Sequence, residues 1–177
     1  MLNKLLLSLL IMTLFSCNKN QPEDYKNNSP TLDIREYLNG KIKAWGIVES
    51  RSGKIIRRFT VNMNGSWKNN EGILDEYFKF DDGELSERKW KIKFKNNHEF
   101  TATADDVIGV AKGKQFGNSL QMKYVLDLKM DNGKSYKVNL DDWMYLIDEK
   151  TLINKSKIKK FGINFAYLTI MFQKIDG

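Results

Sequence analysis

The chain has one cysteine, Cys17, and one histidine, His98. A single thiol excludes an internal disulfide and a cysteine metal cluster, even in a compartment that permits disulfides. One imidazole, set in the polar stretch "NNHEF", reads as a solvated loop residue and gives no basis for a His-rich metal site or a Ser-His-Asp triad. No phosphate-cradling glycine loop is present, because "GVAKGKQFG" lacks a strand–loop–helix context. No segment after residue 31 has a long 3.6-residue apolar period, so helices do not build this fold. The lysines are spread along the chain, and no basic cluster marks a nucleic-acid footprint. Cations still exceed anions, 29 to 22, for a net charge of +7. That balance favours anionic surroundings. Hydrophobic residues at 41% and aromatics at 12% are globular values, and 177 residues suffice for one domain with a core.

Residues 1–16 are set apart from the fold. A lone cation, Lys4, precedes an apolar run from Leu5 to Phe15. The run is short for a bilayer span and matches the hydrophobic region of a signal peptide. It ends in Leu14-Phe15-Ser16-Cys17, which resembles a bacterial lipobox, with Phe15 bulkier than usual. The resemblance implies cleavage before Cys17 and acylation of its thiol and new amino group. Several acyl chains make a lasting anchor where one is marginal. Asn18 after Cys17, in place of Asp, implies export to the outer membrane by the usual sorting rule. A plain secretory leader with an incidental cysteine, or an uncleaved anchor, are the alternatives. Residues 17–31, polar and without apolar period, read as the lipidated Cys and a flexible tether reaching roughly 20 Å. Residues 32–177 are the folded domain.

Within that domain alternation with period two dominates, broken by Gly and Asn turns. Three loops share one form, Arg51-Ser52-Gly53, Asp81-Asp82-Gly83 and Asp131-Asn132-Gly133. Glycine third suits a three-residue hairpin loop, where the last residue takes the left-handed region. The third could instead close as a two-residue Asn-Gly turn, with register shifted by one. A three-residue second loop pairs Phe78 with Ser86, Glu76 with Arg88 and Leu74 with Trp90. The third pairs Leu126 with Val138, Tyr124 with Leu140 and Met122 with Asp142. Asp141 and Asp142 then point to opposite faces and cannot be an acid–base pair; Asp142 is the inward one. The first loop's register pairs Trp45 with Phe59 and Ile47 with Arg57, making Trp45 and Arg57 inward. Between Glu99 and Leu120, small residues imply bends or close approach of another element. The stretch "FGINFAYLTIMFQKI" reads as a closing strand. A short helical turn is expected near Thr31–Tyr37. The whole is all-β: an antiparallel up-and-down β-barrel of about eight to ten strands.

"LNGKIKAWG" resembles, loosely, the opening of lipocalin barrels, although Trp45 stands five residues after Gly40 where the lipocalin pattern places Trp two after Gly. A closer likeness covers about Leu32 to Lys174. The stretches "RRF", "LDEYFKFDDGE", "RKW", "ATADDVIGVAKGKQFGN", "DDWMYL" and "KFGI" resemble a family of bacterial lipoproteins catalogued as domain of unknown function 3833. This implies a lipocalin-like barrel and a lipid-anchored location, and no activity. It also implies an Arg after Asn154, where this chain has Lys155.

The inward charges Glu76, Asp142, Arg57 and Arg88 are the informative feature. They form either a buried ion-pair network that sets register, or an anchor for the polar head of an amphipathic ligand. Its tail would lie along Trp45, Phe59, Phe78, Trp90 and Tyr124. Two carboxylates in one cavity would also permit hydrolysis, but no nucleophile accompanies them. A Ca²⁺ site at Asp81, Asp82 and Glu84 lacks regular ligand spacing. The expectation is a non-enzymatic lipoprotein on the periplasmic face of the outer membrane, without cofactor or metal. It binds or transfers a lipid or other amphipathic small molecule. The alternative is a filled barrel that acts as an envelope interaction protein through Trp143 and Tyr145. No nucleic-acid partner is expected, and the oligomeric state is open.

Overall fold

The computed structural model of the chain describes residues 20–129 and 133–175. The expected leader and Cys17 lie outside these residues. Among the described residues ten strands form one closed antiparallel barrel. They are β1 (Gly40–Ser50), β2 (Ile55–Lys68), β3 (Glu71–Phe80), β4 (Leu85–Phe94), β5 (Glu99–Thr103), β6 (Val107–Phe116), β7 (Ser119–Lys129), β8 (Ser135–Leu146), β9 (Thr151–Lys160) and β10 (Ile163–Lys174). Each pairs with its sequence neighbour, and β10 closes on β1. This is the up-and-down meander that the alternation implies.

The glycine-ended loops set the register as expected. Gly53, Gly83 and Gly133 have φ of 83°, 91° and 75°. Glu76 pairs with Arg88 and Leu74 with Trp90 across β3–β4. Met122 pairs with Asp142 across β7–β8, and Lys129 with Ser135. That is the three-residue register, although Asp131 and Asn132 lie outside the described residues.

The first hairpin differs. Ser50 and Lys54 pair next to the loop, and Glu49 pairs with Ile55, but Val48 pairs with Arg57. Ile56 is an extra residue, a β-bulge. The one-residue slip flips the facing of β1 relative to expectation. Trp45 is therefore outside, 38% exposed, with Thr60 as its partner. Gly46 sits opposite Phe59 instead, and a Cβ there would lie 2.2 Å from the Phe59 ring. The aromatic ring fills the space that the glycine leaves. Phe100 covers Gly113 in the same way, at 2.0 Å from a built Cβ. This is the close approach expected of the Ala- and Gly-rich stretch.

The ends of the barrel differ. At the end carrying the β2–β3, β4–β5, β6–β7 and β8–β9 turns, the short helix α1 (Ile34–Tyr37) forms a cap. Asp33 caps it through the Arg35 amide. Leu32, Ile34, Tyr37 and Leu38 are buried against the barrel core. The approach is so close that a Cβ on Gly65 would meet the Leu38 carbonyl oxygen at 1.6 Å. The polar groups of the cap have partners. The Ile34 amide donates to Gln115 Oε1 at 3.2 Å, and the Tyr37 hydroxyl lies 2.9 Å from the Lys150 carbonyl oxygen. The opposite end, formed by the β1–β2, β3–β4, β5–β6, β7–β8 and β9–β10 connections, has no such lid among the described residues and is called the mouth.

From Asn20 onward the stretch expected to be a loose tether is packed on the barrel. A single 3-10 turn, Pro22–Tyr25, rests on β6 and β7 with Pro22 buried. Tyr25 contacts the rings of Trp143 and Tyr145 at 5.9 and 5.5 Å, and Glu23 pairs with Lys114 at 3.0 Å. Its sequence has no apolar period because so short a segment needs only two anchors, Pro22 and Tyr25.

Candidate functional site

Strand alternation delivers Glu76 from β3, Arg88 and Trp90 from β4, Tyr124 from β7 and Asp142 from β8 to the lumen, midway between cap and mouth. Arg88 organises the first group. Its guanidinium is 3.8 Å from Glu76 Oε2 and makes a two-point contact with Asp106, at 2.9 Å from Nε and 2.6 Å from the terminal nitrogen. Burial would lower the Arg88 pKa, but Glu76 and Asp106 outweigh it and hold the cation firmly. Burial pushes the Glu76 carboxyl up to about 7, against the pull of Arg88. Glu76 Oε2 is buried without a hydrogen-bond partner.

The second group centres on Asp142. The Tyr124 hydroxyl donates to Asp142 Oδ2 at 3.1 Å, and Ser156 Oγ is bonded to Oδ1. Ser156 Oγ also lies 3.0 Å from Asn154 Oδ1, whose amide nitrogen donates to the Trp143 carbonyl at 3.3 Å. Ser156 has one proton and faces two acceptors. Burial raises the Asp142 carboxyl to about 6 against the Ser156 and Tyr124 hydroxyls, whose bonds favour the carboxylate. A proton taken up by Asp142 in acid would free Ser156 to donate to Asn154.

Arg57 is not in this network. It faces inward at the mouth and pairs with Asp82 at 2.9 Å and with Glu84. Its guanidinium lies 3.6 Å from the Phe80 ring centroid. Asp81 holds Arg58 at 3.0 Å. The loop carboxylates considered for Ca²⁺ are thus engaged by the two arginines. Phe59, Phe78 and Phe80 form an aromatic cluster beneath Arg57, with centroids 5.5 to 6.0 Å apart. Arg57 Nε is buried without a hydrogen-bond partner.

The enclosed space is small. A cavity of about 60 Å³ lies between the cap and the charged layer, lined by Leu38, Leu74, Glu76, Trp90 and Met122 among others. It has room for water, not for a lipid tail. At the mouth, by contrast, the inward apolar side chains Val48, Phe78, Phe80, Leu126, Leu128, Tyr136, Ile158 and Leu168 are only partly buried.

The expected site residues therefore divide. Glu76, Arg88, Trp90, Tyr124 and Asp142 share the mid-barrel layer; Arg57, Phe59 and Phe78 belong to the mouth; Trp45 is outside, because of the bulge. His98 is exposed at the capped end, its ring stacked on Phe116 at 4.1 Å. Asp106, Asn154 and Ser156 escaped the sequence reading. Ser156 and Asn154 have the inward parity of a strand otherwise studded with lysines, a signal that was available. Asp106 sits in a turn, where parity says nothing.

A model of the DUF3833 family, described as a protein of unknown function, matches residues 11–174. The chain belongs to the DUF3833 family. No curated protein matches this DUF3833 chain. Among solved structures it is similar to an S-type phycobiliprotein lyase from Guillardia theta, with a TM-score of 0.58 and 6% identity over 81% of this chain and 92% of that one. It is also similar to a de novo designed fluorescence-activating β-barrel, with a TM-score of 0.41 and 14% identity over 81% of this chain and 99% of the other. At such identities the likeness to the lyase shows a shared lipocalin-like barrel and nothing about chemistry.

Proposed function

We propose that this DUF3833 protein is a lipoprotein, acylated at Cys17 on the periplasmic face of the outer membrane, whose barrel mouth binds an amphipathic small molecule such as a lipid. The observation that carries the reading is the partly buried apolar lining of the mouth beside an unsatisfied donor, Arg57 Nε. Inward apolar side chains are ordinarily closed off in a small barrel. Here they offer a shallow greasy cup, and Arg57 supplies the polar contact for a headgroup acceptor. The mid-barrel layer of Glu76, Arg88 and Asp142 acts as the floor and does not touch the ligand. Binding, not turnover, fits a floor whose carboxyls are held by neighbours. That phycobiliprotein lyase shares the fold keeps a turnover assay worth running on any ligand found.

Native mass spectrometry of the full chain, purified in detergent from the membrane fraction, tests this. A co-purifying species is expected, with occupancy about tenfold lower in Arg57→Gln, the effect of losing one charge-assisted hydrogen bond. A chain without adduct, or full occupancy in Arg57→Gln, counts against it. A second reading, an envelope interaction protein, is favoured by the filled capped half and by the apolar crown at the mouth, where Phe161 is 91% exposed. The outward pair Trp143 and Tyr145 is a poorer contact patch than expected, because Tyr25 packs on both. A photocrosslinker at Phe161 that captures one defined protein in cells would favour this second reading.

A further inference from the structure

Five lysines that are dispersed in the sequence gather in space. Lys112 on β6, Lys123 on β7 and Lys155, Lys157 and Lys159 on β9 all point outward from one wall of the barrel. Lys112 pairs directly with Lys123, Lys123 with Asp141, and Asp141 with Lys157, so these four side chains form one row around the wall. At about 4.8 Å per strand the row spans roughly 14 Å. Lys155 and Lys159 flank it along β9, each about 7 Å from Lys157. None of the five lysines has a carboxylate within ion-pair distance among the described residues. Asp141, in their midst, accepts from Gln121 Nε2 at 2.6 Å. On the β3–β4 wall, lysines are matched instead: Lys89 with Asp75 at 3.0 Å and Lys93 with Glu71 at 2.7 Å. Like charges directly opposite on neighbouring strands are destabilising, so the Lys112–Lys123 pair costs stability that this wall retains.

We infer that the outer wall of β6–β9 is a docking face for an anionic phospholipid surface. Charge complementarity is the first argument, since each lysine near an anionic leaflet adds attraction that salt weakens. The second is the apolar edge of the same wall. Ile108 and Val110, 39% and 53% exposed, stand beside the lysines and suit the headgroup boundary. The third is where the chain arrives. The Pro22–Tyr25 turn lies on β6 and β7 at the base of this wall, and the Asn20 side chain bonds to the Tyr25 hydroxyl. Cys17 is three residues before Asn20, so its backbone lies within about 11 Å of it. This third argument rests on the acylation proposed above; the other two do not. A single-stranded nucleic acid is disfavoured because it needs exposed stacking rings, whereas Trp143 and Tyr145 are stacked on each other and covered by Tyr25. The barrel then lies on its side near the leaflet.

Residues 20–175 close their own sheet and supply their own core. A chain beginning at residue 17 with Cys17→Ser therefore keeps every described contact and carries no acyl group. Its co-sedimentation with phosphatidylcholine vesicles, with and without phosphatidylglycerol, is the test. Binding is expected only to the phosphatidylglycerol vesicles and is expected to be lost at high salt. The triple change Lys123→Gln, Lys155→Gln and Lys157→Gln should weaken binding on the order of a hundredfold, at about fivefold per lysine. The corresponding Lys→Arg triple should bind as the parent does. A control triple on the other wall, Lys89→Gln, Lys91→Gln and Lys93→Gln, removes the same charge and should change little. Equal losses from the two Gln triples, equal binding to neutral vesicles, or tighter capture of a short RNA than of the vesicles would each overturn the inference. The mass of the N-terminal peptide from the native protein reports acylation separately, so a missing acyl group would not be mistaken for a failed wall.

Discussion

The two halves of the barrel are built from the same strands and the same alternation, yet they are finished differently. In the capped half most inward positions are closed, with Trp67 and Met144 partly buried. Ile42, Leu74, Ile92, Phe94, Leu120 and Leu152 are buried, α1 lies across the opening, and its polar groups find Gln115 and backbone partners. In the mouth half many inward positions are equally apolar but stay partly open, and Arg57 stands over the Phe80 ring, which packs on Phe59 and Phe78, with its Nε unmatched. Between them lies the charged layer. The difference separates the half that holds the fold from the half that the proposed ligand would occupy.

Substitutions can break that contrast, and the largest effects belong in the cap and the charged layer. Gly65→Val places a side chain against the Leu38 carbonyl, backbone that cannot swing aside. It should cost about 3 kcal/mol or more in urea unfolding. Arg88→Met orphans Glu76 and Asp106 and should cost about 3 kcal/mol. A denaturation midpoint equal to that of the parent would show that the ion pair is not a structural floor.

Stability should also depend on pH through the same layer. Glu76 and Asp142 titrate at about 7 and about 6 in the folded chain, above their ordinary values of 4.5 and 3.8. The folded state therefore binds protons more tightly than the unfolded one. Their contribution is fully present below pH 4 and is lost as pH rises through 6 and 7. Through these two groups the stability read from thermal melts should fall between pH 4 and pH 8, by a few kcal/mol in all. Glu76→Gln should flatten that slope; an unchanged slope would locate the titration elsewhere.

Effects should be smaller at the mouth. Phe78→Ala, at a partly buried ring, should cost about 1 to 2 kcal/mol, less than a fully buried phenylalanine, while reducing ligand occupancy in native mass spectra. Phe161→Asn should be nearly neutral. The residue is 91% exposed at a φ of 51°, which Asn tolerates well. A large loss of stability there would mean that the mouth is closed by contacts of its own.

Much of this was legible in the chain. Three glycine-ended loops and period-two alternation fix a meander, and strand parity places Glu76, Arg88 and Asp142 inside. It failed at Trp45, because Ile55 and Ile56 make both faces apolar and conceal the bulge between them. It missed Asp106, because turns have no parity. It also placed Arg57 in the central network, since inward facing alone does not say how far along the barrel a residue lies.

Local chemistry, then, determined strand number to within a range, the facing of most side chains and the presence of buried charge, because strand geometry and loop conformation are short-range properties. Closure decided the rest. Only the finished barrel set which charges meet, left one end open and the other sealed, and gathered lysines from β6, β7 and β9 onto a single wall. Those contacts join residues far apart in the chain, and no local pattern records them.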